Sequence, residues 1–201
     1  ANGGGGSPLT IGNFSFEAPA HGGGNFQYSL SGGAWTFGGG TGISAHGSGF
    51  TGNNPGAPEG GQGSFIQGTG IFSQSISGFD SNVPYTLSFA AAQRDYGQPG
   101  QTWRVTLDGQ EVGAFNPPQS AQNYADYSTQ FTTGGGTFVI AFEGTNVNGG
   151  DNTAFIDNVR TAPTGGQTPQ PPAAPASLAG FSPSSSQVNL SWTDNANNET
   201  N

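Results

Sequence analysis

Hydrophobic residues in this chain recur at every second position, in short runs, and almost never at helical spacing. Period-two alternation marks half-buried strands, because successive strand side chains point to opposite faces. Ile11 to Glu17 alternates Phe14 and Phe16 with Asn13, Ser15 and Glu17. Ser64 to Gly68 and Ile71 to Ser77 are two further runs, joined by Gly68-Thr69-Gly70. Tyr85 to Gln93 places Tyr85, Leu87, Phe89 and Ala91 on one face. Gln101 to Leu107 sets Trp103, Val105 and Leu107 against Thr102, Arg104 and Thr106. Asp108-Gly109 follows at once, a pair that accepts the positive φ angles of a type I′ hairpin turn, and the chain returns through Val112 to Phe115. Tyr127 to Thr132 and Thr137 to Phe142 flank Gly134-Gly135-Gly136, and Thr153 to Arg160 ends the series with Phe155, Ile156 and Val159. About nine or ten such strands with turn signals between them predict an all-β antiparallel sandwich. No repeat of fixed period suggests a solenoid or propeller.

Gly22 to Gly63 breaks the pattern. It is rich in Gly, Ser, Asn and Pro, with Phe26, Tyr28, Trp35, Phe37, Ile43 and Phe50 among its large apolar residues. Long stretches of this kind are functional or mobile loops, so surface excursions pinned by those aromatics are expected. Composition supports an ordered β protein. Gly (37 residues) and Pro (14) approach low-complexity levels, but 15 Phe, 5 Tyr and 3 Trp with only 7% charged residues do not fit a disordered chain.

Charge removes several function classes. The net charge is −9, there is no Lys, and the only cations besides His are Arg94, Arg104 and Arg160. A nucleic-acid partner needs clustered cations to neutralise phosphates, and an anionic membrane surface makes the same demand. With no Cys there is neither a disulfide scaffold nor a thiolate metal site. No apolar run is long enough to span a bilayer as a helix. The opening ANGGGGSPLT lacks the regions of a signal peptide and reads as a flexible segment, residues 1–9.

Two ends of the main domain carry a recognisable pattern. Asn13-Phe14-Ser15-Phe16-Glu17 opens it, and Ala154-Phe155-Ile156-Asp157-Asn158-Val159 closes it. The pairing resembles jelly-roll carbohydrate-binding modules of galactose-binding-like fold, especially families 4, 9 and 22. Those modules commonly begin with Asn-Gly-x-Phe-Glu and end with Ile-Asp-x-Val; here Phe14-Ser15 stand where the Gly is usual. The resemblance covers residues 10–161 and implies a jelly-roll β-sandwich whose first and last strands meet around a structural calcium ion. Glu17 and Asp157 match the ligand positions, with Asn13, Asp151 and backbone carbonyls as additional oxygen donors, the ligand type calcium prefers. The alternative is that Glu17 is merely solvated and Asp157 caps a turn.

Sugar binding is the activity this resemblance implies, and residues suited to it are present. Pyranose rings stack their C–H faces on aromatic rings, and their hydroxyls pair with planar polar groups. Arg94, Asp95 and Tyr96 supply all three elements just after a strand, where binding loops sit on rigid scaffolds. Tyr124, Tyr127 and Trp35 are further candidate platforms. Trp103, alternating with Val105 and Leu107, reads as core. Trp35 is open between ligand platform and loop anchor, and Arg94 between sugar contact and a bridge to Asp95 or Asp126. His21 and His46 have no partner pattern for zinc. Catalysis finds no support: no G-x-S-x-G elbow occurs, and no framework aims two carboxylates at one bond.

The C-terminal part starts something new. Thr168 to Pro175 reads TPQPPAAP, within a Pro-rich linker spanning 162–175. Residues 176–201 resemble the opening of a fibronectin type III domain, with a strand around Leu178 and then Val188, Leu190 and Trp192 alternating with Asn189 and Ser191. Such a domain needs about 100 residues and seven strands, so an incomplete segment of a larger modular protein is expected. The expectation for the whole is a secreted or cell-surface, non-catalytic polysaccharide-binding module attached to other domains. The alternative is a structural or adhesive module of an extracellular surface protein or filament.

Overall fold

The structure, a computed structural model, describes residues 9–96, 100–164 and 176–193. Contacts divide the chain into two units, Ala1–Gly166 and Gln167–Asn201. Among the described residues the first holds eleven strands: β1 (Phe26–Tyr28), β2 (Thr36–Gly38), β3 (Thr41–Ala45), β4 (Gln62–Gln67), β5 (Ile71–Phe79), β6 (Pro84–Gln93), β7 (Trp103–Leu107), β8 (Gln110–Phe115), β9 (Ala125–Thr132), β10 (Gly136–Gly144) and β11 (Thr153–Pro163). Six strands form one sheet in the order β1-β3-β4-β11-β6-β9, and five form the other in the order β2-β5-β10-β7-β8. Every pairing is antiparallel, and most join strands distant in sequence, such as β4 with β11 and β5 with β10. This is a jelly-roll β-sandwich without helix among the described residues.

The alternation read from sequence sets the inward faces. Ile66, Ile156, Leu87 and Phe89 from the six-stranded sheet meet Phe72, Trp103, Val105, Ile140 and Phe142 from the other. Phe72 and Phe142 stack at 4.9 Å with rings nearly parallel. Each fully buried side chain of this size stabilises the fold by about 1.5–3 kcal/mol. Asp108 (φ 48°) and Gly109 (φ 81°) form the β7–β8 turn with both central residues at positive φ, as a type I′ turn requires. The two Gly-rich connections behave differently. Gly68-Thr69-Gly70 and Gly134–Gly136 each carry the chain from one sheet to the other.

Three expectations change. Ile11–Glu17 is a turn and not a strand. The Gln74 side chain grips both backbone groups of Gly12 (2.7 and 2.8 Å), and Asn13 and Phe16 take positive φ. The turn drives Phe16, fully buried, into the core. Second, Gly22–Gly63 is more than a set of surface excursions, since it supplies β1, β2 and the fully buried β3. Its glycines hid the strand signal because packing demands them: a Cβ at Gly42 would collide with the Gln27 carbonyl and the Phe65 ring. Third, β11 continues past Thr161, pairing Ala162 with Thr86 and Pro163 with Tyr85, and the hydroxyls of Thr164 and Thr86 lie 2.7 Å apart. The first residues of the expected linker therefore belong to the sheet; residues 165–175 lie outside the described ones.

In the second unit, β12 (Ala176–Ser184) and β13 (Gln187–Thr193) form an antiparallel hairpin. Leu178, Phe181, Val188, Leu190 and Trp192 are all exposed on it.

Candidate functional site

The outward face of the six-stranded sheet carries the chemistry. Residues alternating with the core positions, Tyr28, Phe65 and Phe155, point outward, and Phe50 from the β3–β4 loop packs over them. Phe50 lies 4.5 Å from Phe65 and 6.0 Å from Phe155. The loop is fastened by Asn54, a buried amide that donates to the carbonyls of Gln93 and Gln122 (both 2.8 Å) and accepts from the Asp95 N–H (2.9 Å). This part of the face is covered by the protein itself. Farther along β6, an open groove of about 450 Å³ is lined by Thr86, Ser88, Phe89, Asp126, Tyr127, Ser128 and Asn158.

Arg94, Asp95 and Tyr96 follow β6 at the rim of the covered part. Arg94 is only 8% exposed. Its Nη1 meets Asp151 Oδ1 at 3.1 Å, and its guanidinium lies 4.3 Å from the Phe50 ring centre and 5.6 Å from that of Tyr96. Such cation–π contacts strengthen as the cation is desolvated. Asp151 also accepts from Gln67 Nε2 (2.9 Å), whose Oε1 accepts from the Tyr28 hydroxyl (2.8 Å). Burial, and then the Asp151 charge, hold the Tyr28 hydroxyl above its ordinary pKa. Asp95 Oδ2 accepts the Asn53 N–H (2.9 Å), while its buried Oδ1 has no partner among the described residues. Tyr96 is 67% exposed, and Phe26, stacked on Phe50 at 5.0 Å, is 45% exposed. The result is a strip of Phe26, Phe50, Arg94 and Tyr96, with exposed rings at both ends.

The other three aromatic candidates do not join it. Trp35 is 2% exposed, packed 5.2 Å from both Phe16 and Phe72, with its indole N–H donating to the Asn13 carbonyl (3.1 Å). Between ligand platform and anchor, it is an anchor. Tyr127 turns toward the core, 5.9 Å from Phe89 and 5.8 Å from Trp103. Tyr124 packs on the Phe50–Phe65–Phe155 cluster, and its hydroxyl pKa is raised by burial and then by Asp157. Trp103 is core, as its alternation predicted. The sequence missed Phe50 under Arg94, Gln67 on Asp151 and Asn54 on the Asp95 backbone, because no local spacing links residues so far apart.

The expected metal ligands divide in the same way. Asp151 pairs with Arg94. Asn13 uses both ends of its amide on the Ala18 backbone (2.6 and 3.0 Å), closing its own turn. Glu17 and Asp157 are both held by backbone N–H groups of segment 59–62, which the sequence did not single out. Glu17 Oε1 accepts the N–H groups of Gly61 (2.9 Å) and Gln62 (3.0 Å). Gly60 sits at positive φ under the Glu17 carboxylate, where a Cβ would collide. Asp157, completely buried at the β11 bulge, accepts from the Glu59 N–H (2.9 Å) through Oδ2, while Oδ1 has no partner among the described residues. Its pKa is pushed up to about 6, chiefly by burial, against the pull of the Glu59 and Asn158 N–H groups and with the help of the Glu17 and Glu59 charges. Among the described residues no three acidic or His side chains converge closely enough to form a complete metal cluster.

Neither a protein-family profile nor any curated protein matches the chain. Solved structures do resemble it. The Stig cyclase Fisc from Fischerella sp. TAU shares 16% identity at a TM-score of 0.60, covering 79% of this chain and 98% of that one. An apo-form cyclase from Fischerella sp. shares 19% at 0.59, covering 80% and 98%. The N-terminal CBM22-1-CBM22-2 tandem domain of Paenibacillus barcinonensis Xyn10C shares 17% at 0.54, covering 90% of this chain and 53% of that one. At these identities the likeness establishes the fold alone.

Proposed function

We propose that the sandwich is a non-catalytic polysaccharide-binding module of a secreted modular protein. The observation that carries this reading is the exposed Tyr96 ring, braced from behind by a nearly buried Arg94 and flanked by Asp95 and Asp151. A pyranose face stacks on such a ring, and its hydroxyls meet carboxylate oxygens already held in place. Little ordering entropy is then lost on binding. The groove beside Ser88, Asp126 and Tyr127 offers room for further sugar units along the same face. One of the similar solved structures is a tandem of CBM22 modules, which accords with this use of the fold without establishing it. The full chain incubated with a panel of insoluble and soluble polysaccharides is expected to be retained by at least one of them. Retention by none overturns the reading.

In the same reading, Glu17 and Asp157 take part in holding a structural calcium ion, with Glu59 beside them. The donor chemistry fits: all are oxygens, and the buried, unpartnered Asp157 Oδ1 is the kind of group a hard cation satisfies. An ion there would tie the Phe16–Glu17 turn to β11. The β12–β13 hairpin is proposed as the opening of a fibronectin type III-like domain. Its exposed Leu178, Phe181, Leu190 and Trp192 are the side chains further strands of such a sandwich would cover.

A further inference from the structure

Building on the polysaccharide reading, we infer that the glycan taken at the Tyr96 surface is uncharged, and that uronic-acid and sulfated polysaccharides are refused. The ground is the state of the cations. A polyanionic glycan needs free positive charge, and this chain has no Lys and three Arg. Each Arg already faces a carboxylate. Arg104 donates through Nε and Nη2 to Glu143 Oε2 (2.9 and 2.7 Å), with Glu111 at 3.9 Å. Arg160 reaches Glu59 at 3.7 Å and donates to Asn158 Oδ1 at 2.6 Å.

Arg94, the cation at the candidate surface, is the least available of the three. Its charge faces Asp151 at 3.1 Å, and ring faces of Phe50 and Tyr96 lie against the guanidinium. To reach it, an anionic sugar would have to displace Asp151 and bring its own charge beside Asp95. The local count is one cation against two carboxylates, so each added anion is repelled within a screening length of about 8–10 Å. The overall charge of −9 slows the approach of a polyanion as well. A neutral glycan meets none of these costs. Its hydroxyls donate to Asp95 and Asp151, and its ring stacks on Tyr96.

Affinity electrophoresis of the full chain tests this, using gels that contain neutral polysaccharides (a xylan, a mannan, a β-glucan) or acidic ones (polygalacturonate, a sulfated galactan) at low and high salt. Retardation in a neutral gel, unchanged by salt, with none in the acidic gels, is the expected result. Retardation in an acidic gel equal to or above the neutral ones overturns the inference while the polysaccharide reading survives. Retardation in no gel overturns both. Asp151→Asn tests the cause, because the amide oxygen can still accept from Gln67 while Arg94 loses its counter-charge. Retention on polygalacturonate, absent in the wild type, is expected to appear at low salt, through the roughly fivefold gain in affinity that one ion pair supplies at the upper end for partly exposed groups, and to vanish at high salt. No gain in a variant that melts like the wild type removes charge compensation as the reason for refusal.

Discussion

Asp151 and Asp157 lie close together in sequence, one just before β11 and one inside it, yet the structure treats their charges in opposite ways. Asp151 stands against Arg94, which is itself packed on Phe50. Asp157 is completely buried, with Glu17 and Glu59 as charged neighbours, and its carboxyl pKa is pushed up to about 6. Arg94 neutralises Asp151 at the first site, and the exposed Tyr96 ring beside it is free to act as a surface for something else. The second carries a deficit of positive charge that backbone N–H groups and the contact of Arg160 with Glu59 only partly offset. On the proposed reading, the compensated carboxylate serves recognition and the uncompensated one serves a cation.

The largest effect that would sharpen this contrast is calcium itself. Added at a hundredfold excess over its Kd, an ion bound only by the folded state stabilises by about 2.7 kcal/mol. Differential scanning calorimetry is expected to show a rise in Tm with calcium and a fall on chelation. Asp157→Ala should abolish that response, whereas Asp151→Ala should keep it. A response lost with Asp151, or absent from the wild type, breaks the division between the two sites.

Next in size is Arg94→Ala, which leaves Asp151 without its counter-charge and uncovers the Phe50 face. Removing one partner of a fully buried pair costs about 3–5 kcal/mol. Because the Asp151 side chain is 39% exposed, roughly 2 kcal/mol is expected here after screening. Urea unfolding measures it, and a cost within about 0.5 kcal/mol, the range of ordinary surface substitutions, would show that the pair is not structural.

A further effect, comparable in size, concerns protons. Asp157 has a folded pKa above its ordinary value of 3.8, so the folded state holds this proton more tightly than the unfolded chain does. The contribution is fully present below the unfolded pKa and is lost as pH rises through about 6. In calcium-free buffer, thermal stability is therefore expected to fall across that window from this group alone. Asp157→Asn should flatten the fall relative to the wild type. An identical pH profile in the variant would place the titration elsewhere.

Much of the fold was legible because alternation is a local signal. Leu87 and Phe89, or Trp103 and Val105, declare their inward face within a few residues, and Asp108-Gly109 declares its turn. Gly42 could not be read this way, because it is glycine in answer to Gln27 and Phe65, residues only the folded sheet brings near. The turn at Asn13–Glu17 defeated the pattern because Gln74, far along the chain, captures the backbone that a strand would have paired. The site was legible to the same extent. Arg94, Asp95 and Tyr96 are consecutive, and only the resemblance at both ends of the domain suggested pairing Glu17 with Asp157. Placing Trp35 in the core, separating Asp151 from Asp157 and adding Glu59 all depended on loop paths that sequence spacing does not encode.

The smallest expected change in stability accompanies the most informative change in binding. Tyr96→Ala truncates an exposed ring, so its melting temperature should match the wild type, within about 0.5 kcal/mol of stability. Retention of this variant by the polysaccharide that binds the wild-type chain is the most direct test of the central claim. The account predicts that retention is lost while the fold and the calcium response persist. Retention equal to the wild type would contradict it and move recognition away from the Arg94–Tyr96 rim.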